Sequence, residues 1–162
     1  MAFSKSVVNY VSDHGFIVTN TISSKVTPDE MWNALVNDVD LWWPKDHSWW
    51  GKQGKFSIEP LAGGCFCEVA GQRSSVHMQI SFVEPNKLLR MTGGLGPLQG
   101  MGMHGALDWV FETNEETTTI KLTYRVSGIN PEGFEQLAPI VAKVQGIQLN
   151  ALKAYVERPK GQ

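Results

Sequence analysis

Between residues 54 and 127 the chain breaks into short β-branched and aromatic runs, each closed by a turn signal. Strands are predicted near 55–59, 64–69, 74–83, 87–92, 104–112 and 118–127. The breaks include Pro60-Leu61-Ala62-Gly63-Gly64, Gly71-Gln72, Glu84-Pro85-Asn86-Lys87 and Thr113-Asn114-Glu115-Glu116. None has room for a crossover helix, so consecutive strands must pair antiparallel, as a meander. One further strand is predicted ahead of them, over 16–23. A helix follows it, with Thr27 as N-cap, Pro28 in the first turn and Glu30 at capping-box spacing. Met31, Trp32, Leu35 and Val36 give that helix its apolar face, and the pattern fades at Asn37-Asp38.

The last region is predicted helical to about Val156, with Asn130 as cap and Pro131 in the first turn. Pro139 should break it, so that the main helix starts near Ala138. Leu137, Val141, Val144, Gln148, Leu152 and Tyr155 recur at helical spacing, widened by Ile140, Ile147 and Ala151. About seven strands can bury one face only by curling, and this long helix is the element that can fill the concavity. The expectation is an α+β helix-grip fold: a curved antiparallel sheet around a long C-terminal helix, with two short helices after strand 1. At 162 residues and 18.0 kDa a single domain over 1–162 is expected, its core at about 16–156.

Charge excludes some partners. The formal net charge is −2 and there is no Lys/Arg cluster to track phosphates, so no nucleic acid is expected. No apolar run approaches the roughly 20 residues of a membrane span. The first residues carry no apolar signal segment, which points to the cytoplasm, or to the periplasm if a leader has been removed. Cys65 and Cys67 would sit on one strand face about 7 Å apart at the α-carbons. That is too far for a disulfide, so free thiols and a reducing compartment are expected.

Four of the six tryptophans, Trp42, Trp43, Trp49 and Trp50, fall within nine residues beside Pro44, Asp46 and His47. Apolar walls with a few polar handles suit a small-molecule site, and they also suit a core corner. Gly100-Met101-Gly102-Met103-His104-Gly105 matches G-x-G-x-x-G by letter. A strand rather than a helix should follow it, so no dinucleotide site is expected. His14, His47, His77 and His104 have no metal-ligand spacing, and neither metal nor cofactor is expected. Asp46, Glu68 and Asp108 are the carboxylates available for acid–base work. Glu68 follows Cys65-Phe66-Cys67, where a buried charge is costly, and it could instead sit in water or pair with Arg90. Trp109, Phe111, Leu122 and Tyr124 alternate in phase, which points one sheet face inward. Met78, Met91, Met101 and Met103 could line a pocket or fill core.

These residues carry a resemblance. The element order resembles the START-like (SRPBCC) superfamily. The run Val26-Thr27-Pro28-Asp29-Glu30-Met31-Trp32-Asn33-Ala34-Leu35, followed by Trp42-Trp43, is similar to the opening of the AHSA1-like and polyketide cyclase/dehydrase families. Phe56-Ser57-Ile58-Glu59-Pro60, Gly63-Gly64 with Glu68, and Glu84-Pro85-Asn86-Lys87-Leu88-Leu89 resemble their next landmarks. Gly64-Cys65-Phe66-Cys67-Glu68 and the glycine-rich 93–99 are similar to an uncharacterised branch, some of whose members carry signal peptides. The resemblance implies a cavity between sheet and helix for an apolar or aromatic small molecule, in a monomer or homodimer. The candidate ligand-binding residues are Trp43, His47, Trp49 and Trp50 from the loop, then Phe66, Glu68, Met78, Arg90, Trp109 and Tyr124 from the sheet. Leu137, Val141 and Val144 complete the set from the helix. A cyclase or dehydratase is the alternative, with His47 or Glu68 as acid–base and Tyr124 or Arg90 polarising a carbonyl. It requires a clustered polar pair deep in the cavity, where a plain binding module would hold isolated polar groups. A chaperone-partner domain is the third reading.

Overall fold

The computed structural model describes residues 3–159. Eight strands, β1 (Lys5–Ser12), β2 (Gly15–Ser24), β3 (Lys55–Ile58), β4 (Cys65–Ala70), β5 (Arg73–Glu84), β6 (Leu88–Thr92), β7 (His104–Thr113) and β8 (Thr118–Ser127), form one antiparallel sheet. Its order is β1-β2-β8-β7-β6-β5-β4-β3. The helices are α1 (Pro28–Asn37), α2 (Val39–Trp42), α3 (Pro97–Gly100) and α4 (Leu137–Val156). The helix-grip expectation holds, with eight strands instead of about seven. The added strand, β1, is an edge strand whose residues 5–10 are all exposed, so it carries no inward alternation to read.

Helix α1 starts as its sequence dictates. Thr27 Oγ1 accepts the Glu30 N–H at 3.2 Å, and Glu30 Oε2 accepts the Thr27 N–H at 3.0 Å. At the other end of the chain two expectations need correction. Asn130 caps no helix: its Nδ2 donates to the Gly133 carbonyl in a tight turn, and α4 begins at Leu137 with Pro139 inside its first turn. A proline there leaves the helix unbroken, because a first-turn N–H has no intrahelical acceptor to lose. The stripe of α4 that packs on the core is Ala138, Ala142, Gln145, Leu149, Leu152 and Val156. This stripe is rotated from the one the large side chains suggest. Small residues let the helix approach β1 and β2 closely; a Cβ on Gly146 would lie 2.7 Å from Ser6 Oγ and 2.9 Å from Ser4 Oγ. Leu137, Val141 and Val144 therefore flank the contact and are only half-buried.

The free-thiol expectation is also corrected. Cys65 and Cys67 are disulfide-bonded with their α-carbons 5.4 Å apart. The pairing of β4 with β5 slips between Phe66 and Cys67, where Phe66 faces Met78 and Cys67 faces Val76. His77 is the extra residue of this β-bulge. The strand opposite is shorter than a fully extended one, which brings the two sulfurs within reach. The inference of a reducing compartment falls with the thiols. Arg90 pairs with Asp108 (Nε–Oδ1 2.6 Å) on the outer face of the sheet, and Glu68 takes other partners. No helix among the described residues is long and apolar enough to cross a membrane.

Candidate functional site

The segment between α2 and β3 carries the tryptophan cluster, and its two halves do different work. Trp42 and Trp43 are buried. Trp42 Nε1 donates to the Ala34 carbonyl at 2.8 Å, and Trp43 meets Phe66 edge-on at 4.9 Å between centroids. Asp40 fastens the loop that follows. It accepts from Lys45 Nζ at 2.6 Å and from the Phe56 N–H at 2.9 Å, while Lys45 also donates to the Gly54 carbonyl at 2.8 Å. Burial opposes ionisation of Asp40, but these donors outweigh it and hold the carboxyl below its ordinary range. The fastened loop carries His47, Ser48 and Trp49 across the open end of the sheet.

A cavity of about 440 Å³ lies between this loop, the sheet, the N-terminal half of α4 and the segment 95–101. Its wall is mostly apolar, and its polar members are Asp46, His47, Ser48, His77, Tyr124, Gln145 and Gln148. Gln148 Nε2 lies 3.3 Å from His47 Nδ1, which ties the loop to α4. Tyr124 is spent on scaffolding. Its hydroxyl accepts the Leu95 N–H and donates to the Gly93 carbonyl, both at 2.9 Å, and so pins the glycine-rich segment. Burial pushes its phenol up to about 12, with the Leu95 N–H opposing. Gln145 is 1% exposed, and among the described residues neither its Oε1 nor its Nε2 finds a hydrogen-bond partner.

Behind the cavity wall stands a polar cluster. Glu68 is fully buried. Its Oε1 accepts the Ser48 hydroxyl, and its Oε2 accepts the Trp49 N–H at 3.3 Å and faces His77 Nε2 at 2.8 Å. Burial alone would raise the Glu68 carboxyl, but the bonds from Ser48, His77 and Trp49 outweigh it and hold the group below the ordinary carboxylate range. For His77 burial wins over Glu68, and the imidazole sits below its ordinary value. The ring packs against Phe56, stacked at 5.6 Å, and Phe66 at 5.2 Å, which also touch each other at 5.8 Å. The pair is thus a carboxylate and a neutral imidazole.

This sets a pH dependence. Below about pH 6.5 an unfolded chain protonates its imidazole while folded His77 resists, so the unfolded state binds more protons and stability falls on acidification. Glu68 adds a loss of the same sign once the pH drops through the carboxylate range. Thermal unfolding followed from neutral to acid pH should therefore show the melting temperature falling in two stages. His77→Phe should lack the first; identical profiles for the two proteins would refute the assignment.

Of the residues picked from sequence, Trp43, His47, Trp49, Tyr124, Leu137, Val141 and Val144 lie in the cavity wall. Phe66, Met78 and Trp109 are buried in the core, and Glu68 sits behind the wall. Trp50 packs under the Arg73 guanidinium at 5.5 Å, and Arg90 is on the outer face. His77 is a wall residue that strand alternation does not reveal. Strand alternation puts Met78 and Ile80 inward and His77 outward; the bulge turns it in. The G-x-G-x-x-G letters run from the end of α3 into β7, and no helix follows them.

No protein-family model matches this chain, and no curated protein matches it in sequence. Its likenesses are to solved structures. A conserved protein of unknown function from Enterococcus faecalis, EF2215, superposes with a TM-score of 0.66 at 16% identity, over 98% of this chain and 80% of that one. CalU16 from Micromonospora echinospora gives 0.63 at 13% identity, over 95% and 84%. The Aha1 dimer from Colwellia psychrerythraea gives 0.58 at 20% identity, over 90% and 98%. These structures share the fold of this chain, a curved antiparallel sheet gripping a long C-terminal helix. At these identities the likeness speaks for the shared architecture alone, so function has to be argued from the cavity.

Proposed function

We propose that this protein binds an apolar or aromatic small molecule in the cavity between the sheet and α4. The observation that carries the reading is Gln145, a buried amide in the cavity wall with neither polar atom hydrogen-bonded. A buried amide without partners is costly, and a ligand carbonyl or hydroxyl would satisfy it. A volume of about 440 Å³ and a mostly apolar lining support the same reading, because drug-sized ligands occupy sites of this kind. Trp49 is the mouth of the site and Trp43 part of its floor. The neighbour from Colwellia psychrerythraea is a dimer, which makes a homodimer an admissible assembly here. The Cys65–Cys67 disulfide supports the periplasmic placement over the cytoplasmic one.

The test uses 1-aminoanthracene, a neutral aromatic whose fluorescence rises in apolar surroundings. The protein should bind it saturably at one site. Trp49→Ala should weaken binding about tenfold, as loss of an aromatic anchor does. The same change should barely move the melting temperature, since Trp49 is 52% exposed. Unchanged affinity in Trp49→Ala would remove this residue from the mouth, and absence of saturable binding to the unaltered protein would defeat the reading.

A further inference from the structure

We propose that His77 acts as a general base on a weak carbon acid, such as a ketone, held in the cavity, with Glu68 as the positioning residue behind it. The proposal rests on the cavity being a ligand site and goes beyond binding.

Glu68 decides the tautomer of His77. Glu68 is a carboxylate whose oxygens only accept, so the bond at 2.8 Å places the imidazole proton on His77 Nε2. The lone pair is then on Nδ1. Among the described residues Nδ1 makes no hydrogen bond, while the ring itself forms part of the cavity wall. A histidine serving only as a structural tie would use both nitrogens, or bury the second against apolar atoms. Here one end is fixed and the other is left to the cavity.

The surroundings suit a base. Phe56 and Phe66 pack against the ring and against each other, Ser48 and the Trp49 N–H fix the carboxylate, and burial favours the neutral imidazole. The charged and titratable groups around the ring are Glu68 from β4, Asp46 and His47 from the loop, and Tyr124 from β8. Lys45 stands over the Phe56 ring, 5.1 Å from its centroid. Helix α4 brings only the neutral Gln145 and Gln148 to the cavity. Of these groups Glu68 is the one bonded to the imidazole.

The step balances without any other reactant. Nδ1 takes a proton from the carbon next to a carbonyl, and the C–H electron pair passes into an enolate. The imidazolium so formed keeps Nε2–H on the Glu68 carboxylate, which stabilises it. Return of the same proton to a different carbon or to oxygen restores neutral His77 and leaves an isomer of the substrate. Gln145 lines the same cavity, and a turn of its side chain would bring its unpartnered Nε2 to the carbonyl oxygen as donor.

The experiment uses 5-nitrobenzisoxazole, an apolar aromatic in which removal of one ring proton by base breaks the N–O bond and releases a coloured nitrophenolate. The unaltered protein should convert it faster than the same concentration of free imidazole, with a rising pH limb at lower pH than free imidazole shows. His77→Gln should lose about 100-fold or more of this rate. Glu68→Gln should lower the plateau and move the limb to still lower pH, because the imidazolium loses its carboxylate. A His77→Gln protein that binds 1-aminoanthracene and keeps the rate overturns the proposal. So does a limb unmoved in Glu68→Gln, or a rate for the unaltered protein no higher than imidazole. Failure to bind 1-aminoanthracene at all is the separate failure of the binding reading.

Discussion

Glu68→Leu should lower the stability of the fold by about 3 kcal/mol, the scale of leaving buried hydrogen-bond donors without their acceptor. Leucine fills much of the space but accepts nothing. The Ser48 hydroxyl, the Trp49 N–H and His77 Nε2–H then lose their shared acceptor, and His77 is buried where water cannot replace it. Glu68→Gln keeps one accepting oxygen and the shape of the side chain, so its loss should be clearly smaller. Urea midpoints of the three proteins at neutral pH give the comparison. A leucine variant within about 0.5 kcal/mol of the parent, the range of ordinary surface changes, would mean that the cluster is not holding the loop to the sheet.

The second large effect is expected at a residue with no side chain. A methyl on Gly54 would overlap Glu68 Oε1 and lie 2.5 Å from Ser48 Oγ. The carboxylate cannot retreat, because Ser48, Trp49 and His77 hold it. Gly54→Ala should therefore cost about 2–3 kcal/mol, in the range of overpacked cores. It should also weaken 1-aminoanthracene binding, since the loop that carries His47 and Trp49 has to move. Gly100→Ala is the comparison: a Cβ there meets nothing within 4 Å, and its backbone is acceptable to any residue. Equal denaturation midpoints for the two alanine variants would sink the argument.

What was legible in the sequence follows from how local each determinant is. Strand β8 alternates cleanly, and Ile120, Leu122, Tyr124 and Val126 all face the core as their spacing requires. The capping box of α1 is a four-residue signal and formed as written. The core stripe of α4 was misjudged because its contact with the sheet uses Ala138, Ala142 and Gly146, which a search for large apolar residues skips. His77 and the disulfide share one cause. Both depend on a slip between β4 and β5, a property of two strands together that neither sequence displays alone. The tryptophan cluster divided as its neighbours dictate. Trp42 and Trp43 are scaffold, Trp49 is at the mouth, and Trp50 is held by an arginine from β5.

The strand order has a consequence for how the molecule is made. From β3 to β8 the chain makes five pairings, each between a strand and its immediate successor, which close locally. The first hairpin is different, since β2 pairs with β8 and Gly15 lies opposite Ser127. During synthesis β2 has no partner on that side until β8, whose Thr118 pairs with Ser24, has emerged, and its inner face is covered only when α4 follows. The N-terminal hairpin is thus the segment left waiting longest with unpaired backbone, and the one that most needs shielding from self-association on the ribosome.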